Sequence, residues 1–214
     1  MEIQYLGHSA FKIKINNTLL ITDPFLSDDP DLGIKFPKIE ARIVTVSHNH
    51  HDHNGVAAVS GNPFIIRTPG EYEVSGINIF GYATFHDEKE GKERGRNTIY
   101  LIEGEKMNVC HLGDLGHVLE NELVEMLGEV DVLLIPVGGT YTLDAVKATE
   151  VVRQIEPKIV IPMHYFHPKF KFKLNPVENF VKEMGVGVPE KTDKLKLSKD
   201  KLPQETKLVI MEAS

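Results

Sequence analysis

The run Ile43-Val44-Thr45-Val46 passes without a break into Ser47-His48-Asn49-His50-His51-Asp52-His53-Asn54. These first four residues are all β-branched and suit a buried strand. The eight that follow are polar and hold four of the chain's ten histidines. In an extended segment, side chains two apart point the same way, so His48 and His50 can grip one ion. Asn54-Gly55-Val56-Ala57-Ala58-Val59 reads as a short helix, and a turn into it aims Asp52 and His53 at a neighbouring point. Imidazole nitrogen and carboxylate oxygen are the donors that suit zinc, iron or manganese. A His-rich tract that only scavenges metal has no reason to follow a buried strand or to alternate in this way. The segment therefore offers ligands to two adjacent ions.

Strands dominate the first half. Ala10 to Ile15 alternates Phe11, Ile13 and Ile15 with lysines, Asn16-Asn17 is a turn, and Thr18 to Thr22 continues apolar. Phe64 to Arg67, Ile77 to Phe80, Thr98 to Ile102 and Met107 to Cys110 predict further strands, with Glu103-Gly104-Glu105 as a turn. The second half alternates helix and strand. Leu119, Leu123, Met126 and Leu127 lie at helical spacing before Gly128; Thr142 can cap a helix carrying Ala145, Ala148, Val152 and Ile155, ended by Pro157. Strands are predicted at Asp131 to Pro136, Lys158 to Pro162 and Lys207 to Met211, and a helix near Pro176 to Met184. The charged stretch from His86 to Arg96 reads as an exposed loop, and Lys191 to Lys201 as loosely held. Two strand-rich layers with helices outside them fit an α/β sandwich better than a doubly wound parallel sheet.

Composition narrows the function classes. A net charge of −7 argues against an extended basic surface for nucleic acid. Cys110 is the only cysteine, which excludes an intrachain disulfide and a thiolate zinc cage, and it is expected to pack as a small buried residue. The start Met1-Glu2-Ile3-Gln4 has no signal-peptide pattern, and no apolar run approaches the ~20 residues of a membrane span. A cytoplasmic chain forming one domain over residues 1–214, with no membrane partner, is the expectation; its oligomeric state is left open.

On its His-x-His-x-Asp-His segment, the sequence resembles the metallo-β-lactamase superfamily over nearly its whole length. Asp23 in Ile21-Thr22-Asp23-Pro24 looks like the family's early strand-end aspartate, which supports the metals from behind. His111-Leu112-Gly113-Asp114 looks like its Gly-Asp segment, whose aspartate bridges two metals, and Pro162-Met163-His164 like its late strand-end histidine. Leu6-Gly7-His8-Ser9, Gly113-Asp114-Leu115-Gly116-His117 and Pro136-Val137-Gly138-Gly139 are similar to small members related to an ascorbate-phosphate lactonase. The resemblance implies a four-layered αββα sandwich. It puts His48 and His50 on a first metal, Asp52, His53 and His164 on a second, and Asp114 between them. His86, at the end of the strand-like Tyr82 to Phe85, is favoured to complete the first site. His111 is the alternative, set against by the opposite faces that residues three apart take on a strand.

The remaining candidates carry lesser weight. His8, Asp23, His117, Asn54 and Thr142 suit orientation of ligands or substrate contact, or equally a turn, a cap or a buried hydrogen bond. Arg94 and Arg96 suit an anionic substrate or simply a solvated loop; Tyr141 and Tyr165 stand near the motifs in sequence only. Gly138-Gly139 lacks a nucleotide-loop pattern and suits a strand-to-helix turn. The expected activity is hydrolysis of a small anionic ester, a lactone or phosphodiester, by hydroxide held on two divalent ions, with Asp52 and Asp114 as the catalytic carboxylates. Zinc is the first expectation, manganese or iron the others. A nuclease-type phosphodiesterase, a redox di-iron protein and a non-catalytic metal-binding regulator are the alternatives.

Overall fold

The computed structural model describes residues 1–213. The chain opens on β1 (Glu2–Gly7), β2 (Ala10–Ile15) and β3 (Thr18–Thr22), continues through β4 (Ile39–Glu40) and β5 (Ile43–Thr45), and makes a single 3-10 turn at Val56–Ala58. Then come β6 (Val59–Ser60), β7 (Phe64–Ile66), β8 (Gly70–Val74), β9 (Ile77–Phe85), β10 (Arg96–Gly104) and β11 (Met107–His111). Helices alternate with strands from there: α1 (Asn121–Leu127), β12 (Val132–Pro136), α2 (Ala145–Ile155), β13 (Ile159–Met163) and α3 (Val177–Met184). The short β14 (Glu190–Thr192) and β15 (Lys194–Lys196) precede β16 (Lys207–Met211). Among the described residues, one sheet runs β15-β1-β2-β3-β5-β7 and a second runs β14-β16-β13-β12-β11-β10-β9-β8.

The period of two decides which layer each residue joins. Ile3, Phe11, Ile13, Leu20 and Ile43 of the first sheet meet Ile79, Tyr100, Val109, Leu134 and Ile161 of the second in the central core. On the outer face of the second sheet, Leu101, Cys110, Leu133 and Val160 pack under the helices through Leu127, Val151, Val152 and Phe180. The outer face of the first sheet, with Leu6, Ile21, Val44 and Val46, is covered by Phe25, Leu32 and Phe36. The α/β sandwich is therefore present, but its layer over the first sheet is mostly irregular chain. Pro24, Pro30, Gly33 and Pro37 punctuate that segment and deny it a helix.

Several local expectations change. Strand β1 was not anticipated; it pairs antiparallel with β2, Ile3 opposite Ile13 and Tyr5 opposite Phe11. β9 runs unbroken through Gly81, where an added Cβ would lie 3.1 Å from the Pro69 Cα, so glycine admits a crossing chain instead of ending the strand. Lys191 to Lys201 is not loose: Lys191 pairs with Ile210 and Lys196 with Glu2, each at a sheet edge. The cap of α2 is Asp144, which accepts from the Lys147 N–H at 2.9 Å, and not Thr142. The expected helix after Asn54 is only the 3-10 turn Val56–Ala58. Among the described residues, no helix is long and apolar enough to cross a membrane.

Candidate metal centre

β1, β3 and β5 run in one direction in the first sheet, as do β9, β11 and β13 in the second. Their carboxyl ends bring His8, Asp23, the Ser47–His53 loop, His86, Asp114 and His164 to one rim of the sandwich. His8, Asp23 and His164 all take positive φ, at 58°, 38° and 52°. Such backbone is costly for residues with a Cβ, and here it turns each side chain off the strand axis at the last position. The two sheets are tied at this rim by the His164 N–H donating to the His8 carbonyl at 2.8 Å.

Asp23 is fully buried and organises the histidine loop from behind. Its carboxylate accepts from the Ser47 N–H at 2.7 Å, the Ser47 hydroxyl at 2.5 Å and His53 Nδ1 at 2.9 Å. Because the Ser47 hydroxyl donates to Asp23, it accepts from His48 Nδ1 at 2.9 Å. His48 and His53 are thereby set in tautomers that present Nε2 to the cleft, the usual service of outer partners to ligating imidazoles. Ser47 carried no signal beyond its place before His48, and sequence reasoning missed it.

Among the described residues, two of the groups of potential ligand atoms face the cleft, His48, His50 and His86 in one and His8, Asp52, His53 and His164 in the other, each within a 4.8 Å span. Asp23 also groups with His48 and His53, and Asp29 and Asp31 group with His51. Asp114 lies between them. Its Oδ2 is 3.1 Å from His86 Nε2, 3.2 Å from His164 Nε2, 3.3 Å from His53 Nε2 and 3.8 Å from His48 Nε2. The loop carrying it is pinned by Asn97, another unanticipated residue, whose Oδ1 accepts the Asp114 N–H at 3.0 Å. The fit to metal is chemical as well as geometric: His48 Nε2 and His50 Nδ1 are 3.0 Å apart, His8 Nε2 and His53 Nε2 3.1 Å, and Asp114 Oδ1 is buried without a hydrogen-bond partner among the described residues. Close nitrogen donors with carboxylates among them match the donor set of a borderline divalent ion.

Electrostatics reflect the crowding. Burial, reinforced by the charge of His53, pushes the His48 pKa well below its ordinary value, and burial lowers that of His8 to about 4. Burial opposes charge on His53 too, but the carboxylates of Asp114 and Asp52 outweigh it and lift its pKa well above normal. Burial likewise opposes charge on Asp114, where His164, His53 and His86 prevail and hold the carboxyl far below its usual range.

The other candidates separate by position. His111 points away: Nε2 donates to the Ser9 carbonyl at 2.9 Å and Nδ1 accepts the Gly113 N–H at 3.3 Å. Asp114 escapes the strand's alternation because it lies beyond β11, after Gly113 at φ 56°. His117 accepts the Phe85 N–H at 3.3 Å, packs against the Phe85 ring and does not line the main cleft. Asn54 accepts from Arg67, and Tyr165 packs near Tyr5, ring centroids 6.3 Å apart. The cleft above the cluster holds about 530 Å³ and is walled by Arg94, Tyr141, Lys171 and Phe172. Arg94 lies 5.4 Å from the Tyr141 ring centre and donates to the Thr140 carbonyl at 3.3 Å. Lys171 and Phe172 had no sequence signal, since they reach the cleft from a loop after β13.

Known proteins share both pattern and architecture. Residues 2–164 match the family model described as the β-lactamase superfamily domain. A UPF0173 metal-dependent hydrolase of Thermococcus onnurineus is 31% identical over 190 residues, 77% of this chain and 84% of that one. Another, from Methanopyrus kandleri, is 29% identical over 217 residues, 88% and 94% of the two chains. A solved Thermotoga maritima chain, described within the metallo-β-lactamase superfamily, is 42% identical with a TM-score of 0.82, covering 99% of this chain and 98% of that one. With the strand-end histidines and aspartates gathered at one rim, the chain belongs to the metallo-β-lactamase superfamily, among its UPF0173 metal-dependent hydrolases.

Proposed function

We propose that the protein hydrolyses a small anionic ester, a lactone or a phosphodiester, using two divalent transition-metal ions, with zinc the first expectation. The observation that carries this reading is the Asp114 carboxylate, within 3.3 Å of His86 on one side and of His53 and His164 on the other. His48, His50 and His86 would hold one ion, Asp52, His53 and His164 the other, and Asp114 would touch both. Bound there, such ions supply an acidified water as nucleophile and stabilise charge developing on oxygen.

The chain's own groups account for the rest. Arg94 and Lys171 flank the cleft and suit an anionic substrate, while Tyr141 and Phe172 give it apolar walls. Asp23 keeps the Nδ1 proton on His53 and, through Ser47, on His48, so neither ring can turn. The open cleft favours an enzyme over a closed, non-catalytic metal site.

The test is a hydrolysis screen of the full chain, reconstituted separately with zinc, manganese and iron, over lactones, phosphodiesters and thioesters. Turnover of an anionic lactone or phosphodiester, lost on chelation and restored by metal, is the expected result. Turnover of thioesters alone, or oxygen-dependent redox cycling with no hydrolysis, would overturn the proposal.

A further inference from the structure

A second concavity of about 380 Å³ adjoins the cleft on the far side of His50, and His50 and Arg94 line both. The chain has only five arginines, and three of them, Arg67, Arg94 and Arg96, line this groove; Arg42 and Arg153 lie elsewhere. No carboxylate lines it among the described residues, although acidic residues outnumber Lys and Arg 31 to 24 in the chain. Arg67 and Arg96 are exposed. Arg67 donates to the neutral Asn54 amide, Arg96 has no side-chain hydrogen bond or ion pair among the described residues, and Arg94 lies 3.9 Å from the Glu93 carboxylate, which does not line the groove. Surface cations in this protein are otherwise mostly lysines, several of them paired with carboxylates, as Lys147 is with Glu88 and Lys207 with Glu190. Arginine offers a planar fork that binds phosphate oxygens two at a time, which lysine cannot.

We propose that Arg67 and Arg96, with Arg94 at the shared rim, form a second anion subsite for a phosphate group of the substrate remote from the bond hydrolysed. The assignment rests on the hydrolytic reading of the adjoining cleft, and it narrows that reading to substrates with a second anionic group. A molecule straddling His50 would place its reacting ester over Asp114 and its remote phosphate among the arginines.

The probe is inorganic pyrophosphate, titrated calorimetrically into the full chain at constant salt after chelation, so that metal ions do not bind it. The parent chain should bind one equivalent. Arg67→Gln/Arg96→Gln should weaken binding at least ~10-fold, the loss expected for charge-assisted hydrogen bonds. Arg96→Gln alone, which removes no side-chain hydrogen bond or ion pair among the described residues, should weaken it measurably, and circular dichroism should match the parent. Arg42→Gln/Arg153→Gln should leave it unchanged. Absence of binding in the parent, equal binding in the Arg67/Arg96 variants, or an equal loss in the Arg42/Arg153 control would each overturn the subsite. Loss of all ester hydrolysis with pyrophosphate binding intact would sink the hydrolytic reading instead.

Discussion

At the scale of single residues, Asp114 and His111 stand three positions apart and do different work. Asp114 faces four imidazoles and leaves Oδ1 without a partner, whereas His111 has both ring nitrogens occupied by backbone. Asp114→Ala should therefore abolish metal-dependent hydrolysis and loosen metal at both positions by more than the ~10–100-fold typical of outer-partner losses. His86→Ala should weaken one metal equivalent, read by chelator competition. His111→Ala should leave metal affinity nearly unchanged while costing about 2–4 kcal/mol in stability, because it opens a cavity and strips the Ser9 carbonyl of its donor. A larger metal loss in His111→Ala than in His86→Ala would reverse these roles. The His48–His53 cluster was legible in sequence because its spacing is local. Ser47, Asn97 and Lys171 were not, since their roles depend on which distant segment folds against them. Parity set His111 and Asp114 on opposite faces of one strand; the separation instead arises because Gly113 turns the chain before Asp114.

At the scale of elements, strand ends hold the centre together, and two backbone approaches fix where they stop. An added Cβ on Gly138 would lie 2.1 Å from the His164 carbonyl oxygen, and one on Gly116 would lie 2.4 Å from the backbone of His86 and Asp87. Neither contact can be relieved by rotating a side chain. Gly138→Ala should cost about 1–3 kcal/mol through overpacking, and it should move His164 enough to lower affinity for one metal equivalent. A parent-like melting temperature with parent-like metal binding would show that the junction between β12 and α2 is softer than it looks. Loop 86–95 is held differently: the Asp87 carboxylate accepts backbone N–H groups from Lys89, Gly91, Glu93 and Arg94. Burial opposes its charge, yet these donors prevail and lower its pKa to about 2. That acceptor fixes the backbone from which Arg94 reaches the cleft. The sequence read this stretch only as a charged, exposed loop, because a carboxylate gathering its own loop leaves no periodic pattern. β1 and the edge strand β8 were missed for a related reason. Their Gly-containing, mixed-polarity segments become strands only through the partners they pair with.

For the whole molecule, the metal-free and metal-loaded chains should respond to pH in different ways. In the metal-free chain, burial lowers the pKa of His8 from 6.5 to about 4, and burial also lowers those of His48 and His50. Below pH 6.5 the unfolded chain then binds more protons at these groups than the folded one, so acid destabilises the fold. His8 alone contributes about 3 kcal/mol to this loss by pH 4, at ~1.4 kcal/mol per pKa unit. His53 has the opposite sign: its folded pKa is raised by Asp114 and Asp52, so its contribution is complete below 6.5 and fades as pH rises towards the folded value. Stability of the metal-free chain should thus peak near pH 6.5 and fall on both sides, with thermal melting across pH 4–9 as the measurement. Metal changes the alkaline side, because a ligating imidazole must give up its proton and the protonated His53 is the group metal displaces. Metal-bound protein should keep gaining stability above pH 6.5, by about 4 kcal/mol over the metal-free chain when free metal is ~1,000 times Kd. Metal uptake at pH 7 should release protons to an unbuffered solution. Identical melting profiles with and without zinc between pH 7 and 9, with no proton release, would mean that metal does not enter among these histidines at all.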